Sequence, residues 1–238
     1  MTDWAIETKN LGQRFGSNWA VRGLDLQVPR GSVFGLLGEN GAGKSTTIQM
    51  LMGLLPPTEG QSKVLGMDPM QDEVGVKSKV GYVPENYGFY EYMRIKEIVG
   101  FVAAYHNDWN YDLQKELIAE FSLNEEYKVK ELSKGMRAKL ALLMALSFEP
   151  EMLLLDEPSG GLDPAARRNF IETILSRYQQ TGKTILVSSH LLNEFSGLID
   201  HVAFIKDGKA DLVAPLEQLQ KQMKRVRMVF EGGIPESL

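Results

Sequence analysis

The chain of 238 residues contains no cysteine. That excludes a disulfide framework and any thiolate metal site, and it fits a reducing compartment. No apolar run approaches the ~18 residues of a membrane-spanning helix, so no segment is expected to cross a bilayer. The start, Met1-Thr2-Asp3-Trp4, has neither a basic n-region nor an apolar h-region, so no secretory leader is expected. A basic surplus is missing as well: 26 basic and 31 acidic residues leave a net charge of −5. Phosphate backbones need a basic footprint, so nucleic acid is not expected as the main partner. Internal repeats and low-complexity tracts are also lacking. What is left, 43% hydrophobic and 24% charged, is the composition of a globular chain long enough for one large domain.

One segment carries specific chemistry. Gly38-Glu39-Asn40-Gly41-Ala42-Gly43-Lys44-Ser45-Thr46 satisfies the phosphate-binding pattern G-x-x-x-x-G-K-[ST] at Gly38, Gly43, Lys44 and Ser45. Val33, Phe34, Leu36 and Leu37 lead into it as a buried strand would. Ile48, Leu51, Met52 and Leu55 follow on one helical face, and Pro56-Pro57 is expected to stop that helix. Strand, glycine loop and helix together turn backbone N–H groups toward phosphate oxygens. In this reading Gly38, Asn40, Gly41, Ala42, Gly43 and Thr46 shape the phosphate cradle. Lys44 reaches the β- and γ-phosphates, and the Ser45 hydroxyl ligates Mg²⁺.

A second site matches the first. Met152-Leu153-Leu154-Leu155-Asp156-Glu157 reads as a buried parallel strand with two carboxylates at its C-terminal edge. Open α/β sheets bind ligands at that edge. Asp156 suits Mg²⁺, directly or through water, and Glu157 suits a general base acting on the attacking water.

The rest of the chain reads as α/β. Strands are expected over Trp4–Asn10 and Ala20–Val28 with Gly-rich turns between, at Ser62–Leu65 and at Lys79–Val83. From Arg94 to about Phe148 the period turns helical. Ile95, Ile98, Val99, Val102 and Ala103 share one face, Leu113, Leu117, Ile118 and Phe121 another, and Met136, Leu140, Leu143 and Met144 a third. Asp163-Pro164 reads as a helix start, with the helix running to about Gln180 and Gly182 beyond it. Thr184–Ser188 reads as a strand, and Val202–Lys206, Asp207-Gly208 and Lys209–Val213 as a hairpin. The last twenty residues are weakly patterned and look like a strand cut from a larger extension. Leu132-Ser133-Lys134-Gly135-Met136 offers Ser133 as an N-cap. By local chemistry that is a plain cap, or a second anion site at a helix N-terminus.

The order of these motifs resembles the nucleotide-binding subunit of ATP-binding cassette (ABC) transporters, over about Trp4 to Val213. Leu132–Met136 resembles the family's signature motif, Gly160-Gly161-Leu162-Asp163 its D-loop, and Ser188-Ser189-His190 its switch-histidine segment. Phe15 stands where the family stacks an aromatic on adenine, with Trp19 a weaker candidate. The phrasing around the motifs is closest to ABC-2 type bacterial exporters. The resemblance implies a P-loop NTPase core with a mainly parallel sheet, an N-terminal antiparallel β subdomain and an inserted α-helical subdomain. The expected boundaries are 1–86 and 151–215 for core and β subdomain, 87–150 for the helical part and 216–238 for a tail. It also implies a mechanism. Two cassettes, more readily a homodimer than a heterodimer, sandwich two ATP molecules at the cytoplasmic face of a membrane and drive a separate permease. Ser133 and Gly135 act in trans on the γ-phosphate, and His190 has a γ-phosphate role.

Two motifs depart from the family pattern. Glu85 stands where the Q-loop glutamine belongs; it keeps an oxygen for Mg²⁺ but is acceptor-only when ionised. Retained ATP binding with altered hydrolysis is expected. Lys134 and Met136 replace a glycine and a glutamine of the signature. Tyr87, Phe89, Tyr90 and Tyr92 are read as a groove for a permease helix, the alternative being core packing. His106 and His201 are read as ordinary, and Lys221, Lys224, Arg225 and Arg227 as a solvated face. Two other functions stay open: a non-transport ABC ATPase, and a nucleotide-gated subunit that hydrolyses poorly.

Overall fold

The computed structural model describes residues 4–158, 162, 171, 174, 181–191 and 198–222. The N-terminal part is an antiparallel sheet. β1 (Trp4–Phe15) pairs with β2 (Asn18–Pro29) on one side and with β4 (Glu59–Val64) on the other, in the order β2-β1-β4. The hairpin is longer than the sequence pattern suggests, and it turns at 16–17. Its alternation is broken by register shifts between Thr8 and Leu11, where Asn10 sits at φ 48 and its N–H donates to Asp25 Oδ1 at 2.6 Å. Bulges of this kind interrupt the period-two signal without ending the strand.

The second sheet has six strands in the order β5-β6-β7-β3-β8-β9. They are β3 (Val33–Leu37), β5 (Val80–Val83), β6 (Met152–Asp156), β7 (Thr184–Ser189), β8 (His201–Lys206) and β9 (Lys209–Pro215). All neighbours are parallel except β8 and β9, which form the expected hairpin. β3, β6 and β7 are buried throughout. Their alternate residues feed two separate cores. Val33, Leu37, Leu153, Leu155, Ile185 and Val187 join one, while Phe34, Leu36, Leu154 and Leu186 join the other. A strand covered on both faces reads as a continuous apolar run, which is why these strands were legible.

The helix after the glycine loop, α1 (Lys44–Leu51), is shorter than expected. It does not run to the prolines, and Leu55 lies outside it. Gly53, at φ +69, closes it: the Gly53 N–H donates to Met50 O at 3.1 Å and the Leu54 N–H to Gln49 O at 2.9 Å. This paired pattern satisfies the last carbonyls and needs a left-handed residue at that point. A further helix, α2 (Glu73–Lys79), has no counterpart in the sequence reading. Val76 is its one buried residue, so there was no apolar period to see. It is held by its Asp72 cap on the Gly75 N–H at 2.9 Å and by an ion pair between Glu73 and Lys77.

The helical stretch contains α3 (Ile95–Ala103), α4 (Tyr111–Glu120) and α5 (Lys134–Leu146). In α5 every residue from Ala138 to Leu146 is buried except Lys139. It has no solvent stripe because it lies against α3, α4 and β5 at once. Beyond the hairpin, α6 (Leu216–Gln222) adds Leu216 and Leu219 to the core, a helix where the pattern had looked weak. Ile171 and Ile174 are helical and buried. The rest of the Asp163–Gln180 expectation, Gly160 and Gly161 of the D-loop motif, and residues 223–238 lie outside the described residues. None of the described helices is long and apolar enough to cross a membrane.

Leu140 is fully buried in the helical core, whereas Phe101 on α3 is 51% exposed. Leu140→Ala should therefore lose about 2–5 kcal/mol of stability. Phe101→Ala should stay within ~0.5 kcal/mol. Urea denaturation of the two variants checks the contrast.

Candidate functional site

Sheet order decides which chain ends meet. β7 lies between β6 and β3, so the turns after β3, β6 and β7 leave the same edge side by side. Leu37 is opposite Ser189, and Asp156 is opposite Ser188. The glycine loop, the two acids and the histidine segment therefore converge, although more than a hundred residues separate the first from the second.

The loop is built as its sequence demands. Gly43 is the N-cap of α1 at φ 106, and a Cβ there would stand 2.4 Å from Ala20 O. No side-chain-bearing residue fits that close approach. Gly38 is tied to β7 by its N–H to Ser189 O at 3.2 Å. Lys44 is buried and folds back over the loop. Its Nζ donates to Gly38 O at 2.8 Å and Glu39 O at 3.0 Å, and stands 3.2 Å from Glu157 Oε1. A cavity of about 450 Å³ opens beside it, lined by Asn40, Gly41, Gly43, Lys44, Ser45, Thr46, Glu85, Glu157 and Ala20. Ala42 is buried behind the loop.

Asp156 and Glu157 differ in environment. Asp156 is 2% exposed, and burial pushes its pKa up. Hydrogen bonds from Ser188 Oγ at 2.7 Å and Ser45 Oγ at 3.1 Å, both to Oδ1, oppose that rise, while Glu85 and Glu157 add to it. Tyr82 is affected as well: burial first, then Asp156 and Glu85, raise its pKa to about 12. Glu157 sits at φ 44, with its N–H bonded to Ser188 Oγ at 2.8 Å. Its Oε2 is 3.0 Å from His190 Nδ1. Its Oε1 is buried and makes no hydrogen bond, since the Lys44 contact is close but not aligned as one. A basic group on each side thus holds the carboxylate.

The structure brings together Lys44, Ser45, Glu85, Asp156, Glu157 and His190. It leaves others apart. Phe15 ends β1, 53% exposed, and does not line the cavity. Trp19 lies between the guanidinium groups of Arg14 and Arg22, at 5.5 and 5.6 Å. Ser133 caps α5 by accepting from the Met136 N–H at 3.2 Å, and neither it nor Gly135 lines this cavity. His106 stacks on Phe148 at 3.9 Å, and burial lowers its pKa. Tyr87 and Phe89 stack on each other against the helical core, whereas Tyr90 and Tyr92 are exposed. Lys221 pairs with Glu217, and Lys224, Arg225 and Arg227 lie outside the described residues. Ser188 is the participant that residue-by-residue reading missed; its signal was a hydroxyl ending the apolar run Ile185-Leu186-Val187.

A strand, glycine loop and helix with Lys44 and Ser45, facing a buried acid from a neighbouring parallel strand, define a P-loop nucleoside triphosphatase. The family model described as "ABC transporter" matches residues 21–160. The chain is 35% identical to the bacitracin transport ATP-binding protein BcrA of Bacillus licheniformis over 222 residues, covering 92% of this chain and 72% of that one. Its fold matches a solved ATP-binding subunit of an ABC transporter with a TM-score of 0.82, at 27% identity and 92% coverage of both chains. It also matches a dimeric cassette in a post-hydrolysis state with ADP and phosphate, with a TM-score of 0.77, 21% identity, and coverage of 89% and 98%. The chain belongs to the ABC transporter family, and it is an ATP-binding and ATP-hydrolysing subunit.

Asp156 carries its charge against burial. Because its folded pKa lies above the unfolded one, the ionised form destabilises the ligand-free protein at high pH, and protonation relieves this as pH falls. Asp156→Asn should thus raise the melting temperature at about pH 8, with the gain shrinking toward about pH 5. Thermal unfolding without nucleotide at both pH values checks this.

Proposed function

We propose that this chain powers export through a separate membrane permease, working as a dimer at the inner face of the cell membrane. Lys44, Ser45 and Glu157 line one cavity, with Asp156 bonded to Ser45 and His190 to Glu157, and this arrangement carries the catalytic part of the reading. The likeness to a bacitracin transport protein supports export of a drug-like or peptide substrate. Dimerisation draws support from the dimeric cassette of the same fold.

ATP phosphates lie against the backbone of Gly38, Asn40, Gly41, Ala42, Gly43 and Thr46, with Lys44 turned to the β- and γ-phosphates. The donors fit Mg²⁺: Ser45 and Asp156 offer hard oxygens, their Oγ and Oδ1 3.1 Å apart, and Glu85 lines the same cavity. Among the described residues, no group of three or more His, Cys, Asp and Glu is placed to hold a metal alone. Ser45, Asp156 and Glu85 would hold only part of the shell of Mg²⁺, a cation that keeps much of its hydration. Bound there, Mg²⁺ neutralises phosphate charge. Glu157 takes the proton of the attacking water, and His190 orients that carboxylate and faces the γ-phosphate. Phe15 stacks on adenine from one cassette, and Ser133 and Gly135 close on the γ-phosphate from the other. ATP favours the closed pair, and that preference is what moves the permease. Of the four aromatic residues read as a permease groove only Phe89 lines the groove of about 230 Å³ that it shares with Val102, His106, Met144 and Phe148, and we assign the permease segment to that groove. The core and β subdomain (1–86, 151–215), the helical part (87–150) and the tail (216–238) divide these tasks.

Glu85 favours a second reading, a nucleotide-gated subunit with weak hydrolysis, because its charge stands beside the γ-phosphate position. Turnover of Mg-ATP by the purified chain, measured as protein concentration rises, separates the two. Under the main reading turnover per chain climbs with concentration, vanishes in Glu157→Gln and changes in Glu85→Gln. Nucleotide binding without turnover at any concentration would favour the gated subunit.

A further inference from the structure

We propose that Ser188 is a positioning residue for hydrolysis: its hydroxyl sets the Asp156 carboxylate and the Glu157 backbone in fixed relation to each other. The proposal rests on assigning Asp156 to metal binding and Glu157 to proton transfer. Ser188 is fully buried near the end of β7, directly opposite Asp156 in the parallel ladder. Its Oγ donates to Asp156 Oδ1 at 2.7 Å and accepts from the Glu157 N–H at 2.8 Å. A hydroxyl has one proton to give, and here it is given to one acid while the oxygen holds the next residue.

Three features make this more than a satisfied core serine. First, the position has no packing need for a hydroxyl. Ile185, Leu186 and Val187 precede it in a strand buried throughout, and a buried hydroxyl is costly unless bonded. Second, Glu157 is at φ 44, a conformation that side-chain-bearing residues seldom adopt, so its N–H needs a fixed acceptor. β6 has no further ladder partner there, and Ser188 supplies one from the neighbouring strand. Third, Ser45 donates to the same Oδ1 at 3.1 Å. Asp156 is thereby gripped from the glycine-loop helix on one side and from β7 on the other. Ser45 is the residue that must serve the metal. Ser188 lies in the strand beneath, so its bond to Asp156 is independent of that task. Loss of the Ser188 hydroxyl frees the carboxylate to swing and leaves a buried N–H unpaired at the base.

The test uses the full chain. Fluorescent ATP-analogue affinity is measured in EDTA and in Mg²⁺, alongside steady-state turnover, for wild type, Ser188→Ala, Ser188→Thr and Glu157→Gln. Ser188→Ala should keep the affinity seen in EDTA and lose most of the gain that Mg²⁺ brings. Its kcat should fall on the order of tenfold to a hundredfold, with KM less affected. Ser188→Thr, which keeps the hydroxyl, should recover most of both. Wild-type kcat and Mg²⁺ gain in Ser188→Ala would overturn the proposal. So would an equal loss of affinity with and without Mg²⁺ that threonine does not restore, the mark of a structural role. If the alanine variant does not fold, Ser188→Cys fills the site with a weakly bonding thiol and is judged the same way; unfolding of both would also overturn it. Wild-type turnover in Glu157→Gln would remove the base assignment itself, and this is visible without any Ser188 variant.

Discussion

Asp156 carries a negative charge at the end of a strand buried on both faces, and much of the site is arranged around the cost of keeping it there. A carboxylate with 2% exposure is tolerated only if its oxygens are bonded. Two hydroxyls bond its Oδ1, one from the glycine-loop helix and one from β7. One comes from the strand beside β6 and the other from the helix that follows β3, so the carboxylate ties the order β6-β7-β3 to the chemistry. The opposed influences on its pKa, burial upward and hydroxyls downward, leave an acid suited to a cation as partner.

Lys44 and Glu157 extend the same logic. The lysine ammonium is surrounded by two carbonyl oxygens of its own loop and one oxygen of Glu157. Glu157 in turn lies between that ammonium and His190. Each charged group is balanced by neighbours from a different stretch of chain.

The helical stretch is joined to this edge by packing more than by polar contact. α5 touches β5, α3 and α4, and from Ala138 to Leu146 only Lys139 is not buried. Glu91, in the segment after β5, pairs with Arg137 of α5, and the Arg137 Nε reaches Leu132 O at 3.5 Å. The aromatic segment behind Glu85 and the signature helix therefore lean on each other.

Sequence patterns revealed a good deal of this protein on their own. The glycine loop, the acidic strand and the apolar strands were legible because each is a local signal: a spacing, a run, a terminal carboxylate. The resemblance to a known family rested on the same motifs. Other features were hidden for stated reasons. α2 buries a single residue, the β1–β2 hairpin hides its length behind a bulge, and α1 ends at Gly53 before its prolines are reached. The roles within the site belong to tertiary structure. Asp156 and Ser188 are separated by thirty-one intervening residues yet face each other because parallel strands align their ends. Local spacing specifies which backbone forms; which side chains share a proton or a charge is decided only when strand order brings them within three ångströms.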